Sequence, residues 1–177
     1  MTERVYQLGP LKPDTSLSGF DCGEDSYNTW LTGSAFQAQE VGLARVFVLL
    51  ERDTEISERV VGYFAICPTL VVRDQLPEPL QRRMLRSIPG WLLAKLAIDK
   101  GLRGLPKQWG RQLLREALLA IVAAADRGGG AVIVVDADNP GLRPFYEPNG
   151  FAGTGADDLR MYMKVATARS YLTIGRA

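Results

Sequence analysis

The chain has 177 residues, 21 Lys and Arg against 20 Asp and Glu for a net charge of +1, and no His. The missing imidazole removes Ser-His-Asp and Cys-His nucleophile schemes and His-dependent zinc hydrolysis together. A chain of this length suits one domain spanning 1–177 that buries about two thirds of its unfolded surface without metal or disulfide, and its near-neutral charge gives no global bias toward nucleic acid, although charge can still concentrate locally.

Cys22 and Cys67 lie far apart with no Cys or His companion, which makes no metal site and points to a reducing compartment. The longest apolar stretch, Ala117 to Ala125, is about half the length of a bilayer span, and the Met-Thr-Glu-Arg start lacks an apolar secretory segment. A soluble, cytoplasmic protein with no membrane association is expected.

In chain order, Tyr6 to Leu11 reads as a short strand. Phe20 to Glu24 reads as a turn before a helix from about Asp25 to Val41, capped by Asp25 or Ser26. Ala44 to Leu50 is rich in β-formers. Glu51 to Arg59 carries six charged residues in nine and reads as a solvated hairpin loop before a strand from Val60 to Val72, making an antiparallel pair. Leu76 to Arg86, set among Pro77, Pro79 and Pro89, reads as a short basic helix or loop. Trp91 to Ile98 is an apolar strand interrupted by Lys95. A helix is predicted from about Gly110 to Arg127, with Leu113, Leu114, Ala117, Leu118 and Ile121 at helical spacing, stopped by Gly128, Gly129 and Gly130. Ala131 to Val135 reads as a buried strand, Asn139 to Gly150 as a helical connection and Arg160 to Val165 as the last strand. This order predicts a mixed α/β sheet with helices on both faces.

Two segments carry chemistry. Between Ile98 and Leu113 a loop with Gly101, Gly104 and Gly110 and the cations Lys100, Arg103, Lys107 and Arg111 leads into a helix. Exposed N–H groups at a helix start, backed by the dipole, bind phosphate, and a pyrophosphate would fit there. A merely flexible surface loop is the alternative, since Gly content alone is a weak signal. The second segment is the pair Phe145-Tyr146 followed by Gly150-Phe151. The Tyr reference pKa of about 10 lies above that of a thiol at about 8.5, so a phenol here can lend its proton to a departing thiolate such as that of coenzyme A. The alternative is a set of core aromatics closing a helix on a Gly cap.

The strand Leu93-Ala94-Lys95-Leu96-Ala97-Ile98-Asp99-Lys100, the loop from Arg103-Gly104 to Trp109-Gly110-Arg111 and the Phe-Tyr to Gly-Phe ending together resemble the GNAT N-acetyltransferase superfamily. Gly19-Phe20-Asp21-Cys22-Gly23-Glu24, followed by Asn28, Trp30 and Leu31, resembles the signature of its toxin-type, TacT-like branch, whose members pair with ribbon-helix-helix antitoxins. The resemblance spans about Leu11 to Val165. It departs from the family in the phosphate loop, which is two residues longer and lacks the middle Gly, with Leu105, Pro106, Lys107 and Gln108 in place of the compact turn.

The resemblance implies a mostly antiparallel central sheet with a V-shaped splay between two parallel strands, and acetyl-CoA as cosubstrate with no metal. Leu96, Ala97 and Ile98 would meet the pantetheine arm, the N–H near Ala97 would hold the thioester carbonyl, and Arg103, Gly104, Trp109, Gly110 and Arg111 would face the pyrophosphate. Asn139 would bond the pantetheine amide beside Phe145, with an N-cap before Pro140 as the alternative. Tyr146 would protonate the thiolate. No acidic residue is marked out as a general base. That favours an α-amine of pKa about 7.7 to 8.0 over a Lys side chain near 10.4, and the branch implies the α-amine of aminoacyl-tRNA, whose acetylation blocks translation. Arg82, Arg83, Arg86 and Lys107 are candidates for tRNA phosphates, in a basic group with Arg73, Arg103, Arg111 and Arg115. The alternative for that group is a solvated face paired with Asp74, Glu78 and Glu116. Phe20, Trp30 and Trp91 are read as core. A homodimer is implied by the family alone. Two other functions stand beside the toxin: a GNAT acting on a small amine or a protein N-terminus, and a module that binds acyl-CoA or a partner without turnover.

Overall fold

Residues 4–53, 57–155 and 158–174 are described by the structure, a computed structural model. Six strands form one sheet in the order β1-β2-β3-β4-β5-β6: β1 (Val5–Pro10), β2 (Arg45–Arg52), β3 (Glu58–Val72), β4 (Ser87–Ile98), β5 (Val132–Asp136) and β6 (Arg160–Lys164). The pairs β1/β2, β2/β3 and β5/β6 are antiparallel and β4/β5 is parallel. The bonds from Asp99 N–H to Val61 O (2.8 Å) and from Arg73 N–H to Arg86 O (2.9 Å) close the two ends of an antiparallel β3/β4 pair. The expected mixed, mostly antiparallel sheet is what the chain forms.

Contacts group the chain into two units, the first comprising Met1–Ile66 with Lys95–Leu114 and the second Cys67–Ala94 with Arg115–Ala177. In the first unit, β1 pairs with β2 from Val5↔Arg52 to Pro10↔Phe47, and β2 pairs with β3 from Arg45↔Ile66 to Arg52↔Glu58. The strands therefore run into the charged stretch expected to be a hairpin loop, and residues 54–56 of that loop lie outside the described ones. Glu51 departs from its expected solvated state. It is 7% exposed, accepts from the Tyr6 hydroxyl at 2.9 Å and Arg59 Nε at 3.1 Å, and pairs with Arg4 at 3.6 Å. A carboxylate is buried at tolerable cost when its oxygens are matched in this way.

The single helix expected over 25–41 is two, α1 (Asp25–Gly33) and α2 (Ala35–Glu40), broken at Ser34, whose φ of −129° and ψ of −27° are not helical. Gly and Ser are weak helix formers placed together there. The N-cap is Glu24 rather than Asp25 or Ser26, and no side chain caps the helix. Gln39 closes α2 onto the sheet, its amide donating to Leu11 O at 2.8 Å and accepting from Val46 N–H at 3.1 Å. Apolar side chains complete the unit: Phe20 and Trp30 pack on Tyr63, and Phe47 stacks on Phe64.

In the second unit, α3 (Glu78–Gln81) is one turn, and most of 76–86 is loop. Val71, Leu76, Ile88, Val132, Val134 and Tyr162 form a core flanked by Leu80, Met84, Leu92 and Ala131. The long helix α4 (Trp109–Gly128) ends as expected at the glycines. Gly130 has a φ of +109°, and a Cβ there would lie 2.5 Å from Trp91 Nε1, so a side chain would displace the indole that donates to Gly129 O at 3.0 Å. Trp91 is half-buried. After α5 (Arg143–Tyr146) and β6, a helix α6 (Val165–Ile174), which periodicity did not reveal, buries Val165, Ala168 and Leu172.

Candidate active site

The first unit holds Leu96, Ala97 and Ile98, the loop from Asp99 to Gln108 and the start of α4. The parallel β4/β5 ladder ends at Leu93↔Val135, ahead of these last residues of β4. Ala97 is buried, and Leu96 and Ile98 are half-buried. Asp99 is 5% exposed and turns the chain: its side chain accepts from Gly101 N–H at 2.9 Å and Asp21 N–H at 3.3 Å and lies 3.6 Å from Arg59.

At α4 the N–H groups of Trp109 and Gly110 make no hydrogen bond among the described residues, whereas those of Arg111 and Gln112 already reach Gln108 O. Two free donors at the positive end of a twenty-residue helix suit an anion. Gln108, at φ +48°, bends the chain into the helix. Trp109 lies 4.2 Å from the Tyr6 ring, with Lys107 Nζ 5.4 Å from the Trp109 centroid and 5.7 Å from that of Tyr6. Arg103 is differently employed: its guanidinium donates to Cys22 O. Gly104 has a φ of +71° and open space around it.

The second unit holds Asn139, Phe145 and Tyr146. Tyr146 ends α5, 6% exposed, with Phe145 and Phe151 edge-on at 4.9 and 5.7 Å. Burial first, then the Asp138 carboxylate, pushes its pKa up to about 12. The phenol is therefore fully protonated at neutral pH. Its hydroxyl makes no hydrogen bond among the described residues, where no side-chain polar atom is both buried and unpartnered, so the oxygen has access to solvent. Gly150, at φ +97°, ends the turn as a left-handed cap. Asn139 occupies the N-cap position before Pro140, but its exposed side chain makes no capping bond.

Residues absent from the sequence reading support this turn. Buried Asn149 donates to Phe145 O at 2.6 Å and accepts from the Tyr171 hydroxyl of α6 at 3.3 Å; Arg143 donates to Asp158 O at 2.8 Å and pairs with Glu147 at 2.8 Å. The Asn at i+4 of Phe145 was the available signal. In the first unit Lys95, noticed only as an interruption, holds its ammonium 4.5 Å from the Tyr27 centroid and 5.9 Å from that of Trp30.

The basic group divides. Arg73 pairs with Asp74 at 3.4 Å and Arg115 donates to Leu172 O at 3.2 Å. Arg82, Arg83 and Arg86 in the second unit, and Lys107 and Arg111 in the first, are exposed and have no carboxylate partner among the described residues. Among those residues no group of three or more His, Cys, Asp or Glu is placed to hold a metal ion, and no helix is long and apolar enough to cross a membrane.

No family model matches the chain. A tRNA-acetylating toxin of Mycobacterium tuberculosis is 31% identical over 156 residues, 88% of this chain and 90% of that protein. The chain belongs to the tRNA-acetylating toxins, a branch of the GNAT N-acetyltransferases. Among solved structures, AtaT complexed with acetyl-methionyl-tRNAfMet is 26% identical with a TM-score of 0.83, covering 94% of this chain and 98% of that one. AtaTR bound with AcCoA is 25% identical with a TM-score of 0.77, covering 93% and 96%. The toxin fold thus extends over nearly the whole chain.

Proposed function

We propose that this protein transfers the acetyl group of acetyl-CoA to the α-amine of aminoacyl-tRNA and thereby blocks translation, acting in the cytoplasm as the toxin of a toxin–antitoxin pair. The observation that carries the reading is Tyr146: a buried phenol, protonated to about pH 12, whose hydroxyl is open to solvent and makes no hydrogen bond among the described residues.

The residues present suit acetyl-CoA. The N–H groups of Trp109 and Gly110 and the cations Lys107 and Arg111 offer the pyrophosphate a charged, donor-rich helix start, and backbone at Leu96, Ala97 and Ile98 offers the pantetheine arm a strand edge. Asn139, with a free side-chain amide, is a further pantetheine donor. The acceptor nitrogen attacks the thioester carbonyl carbon, the new C–N bond forms and the C–S bond breaks. A backbone N–H near Ala97 stabilises the oxygen that gains charge. The departing thiolate receives the Tyr146 proton, and the phenolate is refilled by the proton that the amine releases, leaving amide and thiol. An α-amine of pKa about 7.7 to 8.0 is substantially neutral at pH 7 and needs no strong base, in keeping with a chain without His.

Arg82, Arg83 and Arg86 are the proposed phosphate contacts of tRNA, since exposed cations without carboxylate partners release counterions on binding, while Lys107, nominated with them from the sequence, is assigned to the pyrophosphate. A ribbon-helix-helix antitoxin and a homodimer of 1–177 units complete the proposal; co-purification with a small protein encoded beside the toxin and light scattering test them. The central test is transfer of labelled acetyl from acetyl-CoA to bulk aminoacylated tRNA by wild type and Tyr146→Phe. Label on the aminoacyl group that collapses in the variant supports the reading. Acetyl-CoA binding without any tRNA labelling would sink it and direct the search to small amines and protein N-termini.

A further inference from the structure

The Asp21–Asn28 segment makes more contacts with the loop after β4 than a surface turn requires. Asp21 Oδ1 accepts from Gly23 N–H at 2.8 Å and Asn28 Nδ2 at 3.0 Å, while Oδ2 meets Lys100 Nζ at 2.5 Å. Cys22 N–H donates to Asn28 Oδ1 at 3.0 Å, so Asn28 locks the turn from both sides. The backbones also join: Lys100 N–H donates to Asp21 O at 2.9 Å, Asp21 N–H to Asp99 Oδ2 at 3.3 Å, and Arg103 to Cys22 O. From Asp99 to Arg103 the loop is thus stitched to residues about 80 positions earlier.

Beyond Gly104 the ties become local. Gln108 N–H reaches Leu105 O at 3.0 Å, and Gln112 Nε2 reaches Lys107 O at 2.6 Å. The loop has a first half clasped by remote hydrogen bonds and a second half, packed on the Tyr6 ring through Trp109 and Lys107, whose hydrogen bonds are local and which carries the free N–H groups. Here the family's compact glycine turn is replaced by a longer one, so its placement has to come from elsewhere.

We propose that Asp21 and Arg103 are positioning residues that clasp the first half of this loop and so set the pose of the α4 start for the pyrophosphate, leaving Lys107 and Arg111 as the cations that meet it. This rests on the acetyl-CoA reading above. Arg103, the cation the phosphate-loop pattern nominates, is a strut: its guanidinium is committed to the Cys22 carbonyl. Asp21 acts through Lys100 and the backbone and touches no ligand.

A sign separates positioning from simple electrostatics. Removing a negative charge near a bound polyanion tightens binding if only Coulomb's law operates; removing a clasp weakens it. Acetyl-CoA affinity is measured by calorimetry, with steady-state kinetics on aminoacyl-tRNA, for wild type, Asp21→Asn, Lys100→Met, Arg103→Met, Lys107→Met and the pairwise combinations. Asp21→Asn, Lys100→Met and Arg103→Met each raise the acetyl-CoA KM by about five- to tenfold, the scale of one exposed charge-assisted contact. The KM for aminoacyl-tRNA and kcat at saturating acetyl-CoA stay unchanged. Asp21→Asn with Arg103→Met is no worse than the weaker single variant, whereas Lys107→Met multiplies with either. Loss of Arg103 leaves the salt dependence of acetyl-CoA binding intact, and loss of Lys107 reduces it. Tighter binding by Asp21→Asn, or a reduced salt dependence in Arg103→Met, would overturn the proposal. Should Asp21→Asn fail to fold, Lys100→Met, on an exposed side chain, reads the same clasp from its other end. A wild type that does not bind acetyl-CoA at all overturns the underlying reading before any variant is compared.

Discussion

The loop entering α4 and the turn carrying Tyr146 are held in opposite ways. The first is fixed chiefly by charges and hydrogen bonds, from the exposed pair Asp21 and Lys100 and the Arg103 contact to Cys22 O to the buried Asp99 on Gly101, with Trp109 packed on the Tyr6 ring. The second encloses its phenol, 6% exposed, in apolar packing with Phe145 and Phe151 edge-on against it, and keeps its polar braces, Asn149 and Arg143, on the turn's backbone and flank. Polar fastening suits a segment that carries free N–H groups, because hydrogen bonds can hold the backbone while leaving those donors uncovered. Apolar fastening suits an acid that must stay protonated, because desolvation raises the pKa of a phenol. Each region is secured by the force its chemistry leaves available.

The largest expected effect probes the phenol alone. Tyr146→Phe keeps the ring and its packing but removes the proton, so kcat falls by about 10²- to 10⁴-fold while melting is unchanged; single-turnover acetyl transfer reads the first and calorimetry the second. A variant that retained full kcat would break the contrast by taking the acid out of the apolar region. Phe151→Ala attacks the packing instead. Phe151 is 3% exposed, and truncating a buried Phe costs about 3–5 kcal/mol, read in denaturant unfolding. The same variant hydrates Tyr146 and moves its pKa down toward 10, visible in ultraviolet titration of the tyrosinate.

Glu51→Gln tests a buried polar contact of the first unit. The change leaves Arg59 and Arg4 without their carboxylate, at about 1–3 kcal/mol, at the lower end because both arginines are substantially exposed. Equilibrium unfolding checks it. A cost as large as that of Phe151→Ala would show that the polar network, rather than apolar packing, dominates stability.

The smallest effects come from pH, and the two regions respond at opposite extremes. Asp21, held down to about 2 chiefly by the Lys100 hydrogen bond, supplies stability that is complete above its ordinary value of 3.8 and lost as pH falls through about 2. Tyr146, raised to about 12, supplies stability that is complete below 10 and lost as pH rises through about 12. Between pH 5 and 9 neither group changes charge. The rate should therefore rise with the acceptor α-amine near pH 7.7 to 8.0 and reach a plateau, with no descending limb from Tyr146 below about pH 11. A descending limb at pH 8 to 9 in the chemical step would assign the proton donor to another group.

Much of the sheet and the long helix could be read in advance, because they rest on local pattern: β-formers gathered in β2 and helical spacing from Leu113 to Ile121. The readings that changed involve partners remote in sequence. Glu51 looked solvated because its neighbours are charged, yet Tyr6, 45 residues away, draws it inside. Arg103 looked like a phosphate ligand because it begins a Gly-bearing loop, yet Cys22, 81 residues away, takes its guanidinium. Tyr171 carried no pattern until α6 brought its hydroxyl to the Asn149 amide.

The sequence by itself determined the strands and the long helix α4 and the loss of imidazole chemistry, and it nominated Tyr146, since each depends on residue type and near-neighbour spacing. Tertiary structure decided which charges are free and which are bound into the protein. It also raised the Tyr146 pKa and tied residues 99–103 to the turn at Asp21 and Cys22. The reason is physical: desolvation and charge pairing depend on what lies within a few ångströms in space, and that neighbourhood exists only once strands and helices far apart in the chain have been brought together.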